Sequence, residues 1–152
     1  RIADVMMGSA AGFPWGHTFS GYPLGCAVAA EAIRTIAEEG LLERARVLGE
    51  RLARGLQEIA DASPHVAEVR GRGLLQGLEL VQDRASLAPL PGGSGALQRA
   101  ARERGLMIYA CPTPIGRTLV EAVMLAPPLV IEEEDVDRIV ELLGDAVASL
   151  AV

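Results

Sequence analysis

Apolar positions along this chain fall into stretches of helical and of alternating spacing. From Pro23, residues Leu24, Ala27, Val28, Ala32, Ile33 and Ile36 recur on one helical face, and Gly40 stands where a left-handed cap would stop the helix. Leu41, Ala45, Leu48, Leu52, Leu56 and Ile59 continue at spacings of three and four with Glu and Arg opposite, which predicts a second amphipathic helix to about Ala60. Residues 66–81 read as two short strands broken by Gly71 and Gly73. A turn-rich loop follows, and Ser94 is placed to cap a helix from Gly95 to Arg104, closed by Gly105. Residues 106–110 read as a strand, 111–118 as a loop, and 119–125 as a strand ended by Pro127 and Pro128, which cannot donate to a ladder. In the last stretch, acids at 132–135 suit a positive helix N-terminus. Val136, Ile139, Val140, Leu143, Val147 and Leu150 form its buried stripe.

No such period runs through the first 25 residues, which hold Phe13, Trp15, Phe19 and Tyr22, four of the five aromatics. The segment is too apolar for a solvated linker and is expected to pack against something larger, as if the chain began in mid-domain. From Gly40 onward the pattern predicts an α+β domain, a small sheet covered on one side by helices.

Composition narrows the function. With 152 residues, 50% hydrophobic and 22% charged, the chain fits one globular domain or a domain plus part of another. A formal net charge of −6 argues against nucleic acid or an anionic membrane as partner. No stretch approaches a membrane span and the start lacks a signal-peptide pattern, so the expected location is cytoplasmic. Cys26 and Cys111 are far apart and read as free thiols. All fourteen basic residues are arginine. Any chemistry that needs a lysine amine must therefore find it outside this sequence.

Catalytic signals in the residues themselves are thin. The RGRG and GGSG runs match neither a dinucleotide nor a phosphate-loop fingerprint and read as turn or bulge glycines. His17 and His65 are the only histidines, no metal-ligand spacing exists, and neither Ser20 nor Ser94 has a nucleophile context.

Residues 16–33, GHTFSGYPLGCAVAAEAI, carry a specific resemblance. They are similar to the segment of class III pyridoxal-phosphate (PLP) aminotransferases, the ornithine and omega-amino-acid transaminase group. There a Gly-His-Thr-aromatic run with Gly-x-Pro precedes an alanine-rich helix. Residues 38–59 resemble the helix leading into that family's small domain, VRGRGLLQGLELV its Val-Arg-Gly hairpin, RGLMIY the next strand and APPLVIEEEDVDRIV its Pro-Pro strand end and last helix. Five blocks in family order cover nearly the whole chain.

The resemblance implies the C-terminal portion of such an enzyme: residues 1–39 a remnant of the large PLP-binding α/β domain, and 40–152 the small domain with a short, largely antiparallel sheet. It implies PLP as cofactor, a homodimer, and amine and keto acid substrates, with amino-group transfer as the reaction. The Schiff-base lysine is absent, so the chain alone is expected to be inactive. Thr18 would donate its hydroxyl and N–H to the cofactor phosphate in the partner subunit's site, with His17 beside it. Phe13, Trp15 and Phe19 would line the interface near substrate. Arg117 would hold a substrate carboxylate through its bidentate fork. The position that carries arginine in ornithine-type members is Met124, a departure that puts Arg117 closer to the omega-transaminase arrangement. Arg70 is expected to tie the hairpin to a neighbouring carboxylate. An aminomutase, racemase or decarboxylase of the same cofactor class would share these blocks. A stand-alone, non-catalytic α+β interaction module would explain the missing lysine but leave the aromatic segment without a purpose.

Overall fold

The computed structural model describes residues 2–8 and 16–150, which divide into two units, 1–39 and 40–152. The first unit contains α1 (Ile2–Met7) and α2 (Pro23–Glu38). The short α1 corrects the expectation of no regular element before Pro23; the Gly8 N–H closes its last turn on the Asp4 carbonyl at 3.0 Å. Proline at the first position of α2 loses no helical hydrogen bond and presets φ. Charge on α2 is confined to one stripe, where Arg34 is hydrogen-bonded to Glu31 and Glu38, at i−3 and i+4. Leu24, Val28 and Ile33 are exposed, and α2 buries no residue.

The second unit runs α3 (Leu41–Ala62), β1 (Val66–Arg72), β2 (Leu75–Leu80), α4 (Gly93–Glu103), β3 (Tyr109–Ala110), β4 (Thr113–Ile115), β5 (Thr118–Leu125) and α5 (Glu133–Ala148). Gly40 enters α3 with φ +64°, a conformation that explains its choice between two helices. The sheet order is β1-β2-β5-β3, with β4 also on β5, and every pairing is antiparallel. Leu78, Leu80, Val123 and Leu125 point to the helix side, where they meet Leu52 and Leu56 of α3, Leu97 of α4 and Val136 and Leu143 of α5 in one core. The opposite face carries Arg70, Gly77, Met124 and Tyr109 in register across four strands. The α+β architecture expected from Gly40 onward is the one observed.

Four local expectations change. Strand β1 continues through Gly71, so the break is the two-residue turn at Gly73 and Leu74, with Leu74 buried under it. Of residues 106–110 only Tyr109 and Ala110 join the ladder, because the Ile108 carbonyl accepts from Gln98 Nε2 at 2.9 Å. The loop expected at 111–118 contains β4. Its ladder register is Thr113 to Val120, Pro114 to Leu119 and Ile115 to Thr118. Ser94 caps nothing: α4 starts at Gly93, and Ser94 lies within its first turn.

Candidate functional site

In the first unit, His17, Thr18 and Phe19 share the turn that leads into α2. The Ser20 N–H donates to the His17 carbonyl at 2.9 Å, the His17 N–H to Ser20 Oγ at 2.8 Å, and the Tyr22 N–H to the Phe19 carbonyl at 3.0 Å. These bonds leave the hydroxyl and N–H of Thr18 with no partner among the described residues, and the side chain is exposed. No acid lies between residues 16 and 22, and the turn feeds directly into a helix N-terminus, where the dipole favours an anion. Phe19 is 79% exposed and packs only edgewise on Tyr22, ring centres 6.2 Å apart. Phe13 and Trp15 lie outside the described residues.

Arg117 belongs to the second unit. It sits with Gly116 at the tip of the β4–β5 hairpin, where Gly116 takes φ +61°, and it is exposed with no partner among the described residues. Strand β2 pairs with β5 only from Glu121 onward, so residues 118–120 pair with β4 alone. The hairpin therefore projects beyond the sheet as a two-stranded ribbon, with Ile115 and Leu119 exposed. Met124 lies in the sheet proper, half-buried between Gly77 and Tyr109 on the face away from the core. Arg70 is bound to Glu79 at 2.7 Å and Glu68 at 2.6 Å, the carboxylate tie expected of it, and these acids hold its guanidinium above its ordinary pKa. Two grooves, of about 520 Å³ beside Ile59 and Gly144 and about 580 Å³ beside Met107 and Pro128, contain neither Thr18 nor Arg117.

One buried acid was not anticipated. Glu121 is 3% exposed, and its carboxylate accepts from the Gly92 N–H at 3.2 Å, the Ser94 N–H at 3.0 Å and the Ser94 hydroxyl. Taking a carboxylate out of water is costly, and three donors at a helix N-terminus offset that cost. Its sequence signal was the alternation itself: 121 shares the buried parity of Val123 and Leu125.

The family model for class-III aminotransferases matches residues 2–147, and the chain belongs to that family. It is 38% identical over 135 residues to a taurine–pyruvate aminotransferase of Rhodobacter capsulatus, covering 88% of this chain and 29% of that protein. An uncharacterized aminotransferase of Schizosaccharomyces pombe is 33% identical over 153 residues, 98% of this chain and 33% of its own length. Among solved structures, a transaminase from the marine bacterium Virgibacillus superposes with a TM-score of 0.83 at 30% identity, over 97% of this chain and 33% of that one. A PLP-bound amine transaminase from an uncultivated Pseudomonas species gives 0.80 at 29% identity, again over 97% and 33%. The chain thus spans about a third of the length of the curated relatives it matches.

Proposed function

We propose that this chain is the C-terminal portion of a PLP-dependent aminotransferase that moves an amino group from an amine or amino acid to a keto acid. The observation that carries the reading is the family match over nearly the whole chain, with relatives named as aminotransferases and transaminases rather than mutases, racemases or decarboxylases. When bound, PLP supplies the electron sink that makes amine exchange possible. Of this chain's residues, Thr18 fits the phosphate: its two donors are free, no carboxylate competes, and Gly16 and Gly21 let the backbone come close. His17 flanks it. Arg117 holds the keto acid's carboxylate from the ribbon tip, and the second unit closes over substrate. Phe19 and Trp15, with Phe13, line the interface of a homodimer, a role supported by the exposure of Phe19 and of the apolar positions of α2. The enzyme works in the cytoplasm.

The reading is tested on the full-length enzyme. Thr18→Ala is expected to weaken PLP affinity by about tenfold to a hundredfold, the equivalent of a hydrogen bond to a charged group of roughly 1.5–3 kcal/mol, while Thr18→Ser retains it. Unchanged affinity in Thr18→Ala removes the phosphate role. The 152-residue chain alone, lacking lysine, is expected to give no PLP absorbance band that borohydride fixes to a side chain.

A further inference from the structure

The ribbon that carries Arg117 has almost nothing to hold it in place. Thr113, Pro114, Ile115, Thr118 and Leu119 are all exposed, and the ladder of residues 113–120 is closed on itself. Isolated two-stranded ribbons of this kind are marginal in water, so the direction of the tip is set at the base. The base is Glu121, the first residue of β5 that also pairs with β2, opposite Leu80. Sheet formation there calls for an apolar side chain, as at Val123 and Leu125 on the same face. A carboxylate takes the position instead, and it reaches across to the N-terminus of α4.

We propose that Glu121 is a positioning residue for Arg117, fixing the base of the ribbon by accepting hydrogen bonds from the N–H groups of Gly92 and Ser94 and from the Ser94 hydroxyl. The lever is long. Four residues of strand separate Arg117 from Glu121, about 13 Å, so a tilt of roughly 10° at the base moves the tip by about 2 Å. Displacements of that size are enough to lose a carboxylate clamp. The proposal rests on the reading of Arg117 as that clamp.

Full-length enzyme carrying Glu121→Gln, Arg117→Ala or both is assayed with a keto acid acceptor and with an aldehyde acceptor that has no carboxylate. Glu121→Gln is expected to raise KM for the keto acid about tenfold and leave KM for the aldehyde within about twofold. It is expected to add nothing to Arg117→Ala. Amide hydrogen exchange is expected to quicken across residues 113–120 and not in α3. A role confined to capping α4 would move both acceptors alike and add to Arg117→Ala, and that result overturns the proposal. If Arg117→Ala leaves the keto acid KM unchanged, the clamp reading fails and the proposal falls with it. If Arg117→Ala raises it and Glu121→Gln does not, the proposal alone falls. Should Glu121→Gln not fold, Ser94→Ala removes one donor only, and the same selective rise, about threefold, is required of it.

Discussion

Because every basic side chain here is an arginine, the cation of each ion pair stays charged throughout the pH range in which the chain folds, and the partner that titrates is the acid. Arg51 of α3 reaches Asp137 of α5 through two bonds of 2.6 and 2.7 Å and Glu133 at 2.6 Å, a fork that staples the two helices. The guanidinium holds the Asp137 carboxyl below its usual range. Asp137→Asn is therefore expected to lower Tm near neutral pH. A depressed folded-state pKa contributes stability that is fully present above the ordinary Asp value of about 3.9 and is lost as pH falls through the lowered one. The Tm gap between native chain and variant should accordingly hold from pH 7 down to about pH 4 and close below it. Both groups are solvent-exposed, so about 1 M salt should narrow the gap at pH 7 as well. A gap that persists at pH 2 to 3 would mean that Asn disturbs packing and that the charge pair is not the cause.

At the scale of elements, close approach decides what the sequence could reveal. Gly49, in the middle of α3, faces the Gly73 turn so closely that a Cβ at 49 would fall on the backbone of Gly73, which cannot swing aside as a side chain could. Gly49→Ala is expected to cost about 1–3 kcal/mol or more in urea unfolding, despite alanine's higher helix propensity. Gly95, also helical, meets only the end of Arg99 at 3.5 Å, and Gly95→Ala should instead add up to about 1 kcal/mol. Both glycines read alike in the sequence. What was legible came from periodicity: α3 and α5 with their stripes, β2 and β5, and Gly40 as a left-handed stop. What was not legible depended on partners distant in sequence. β4 hides in a segment with two prolines and a glycine because its register is supplied by β5. The cap of α4 was assigned to Ser94 because the true acceptor, Glu121, lies 27 residues away. The Thr18 turn was found through family resemblance, since no period marks it.

For the whole molecule, every residue of the buried core lies at or beyond Leu41, and the cluster that joins sheet and helices runs from Leu48 to Val147. A length of roughly 110 residues is enough to bury about two-thirds of its unfolded surface, which is the range of independently folding domains. We predict that residues 40–152, expressed alone, unfold in one cooperative transition in urea, with a midpoint within about 0.3 M of that of the 152-residue chain and no smaller slope. The argument is that the first unit adds no residue to the core: Leu24, Val28 and Ile33 are exposed on α2. Removing residues 1–39 should also raise solubility, because it takes away exposed apolar surface without opening the core. A markedly lower midpoint, or a non-cooperative melt, would place part of the stabilising packing in residues 1–39 and would move the domain boundary upstream of Gly40.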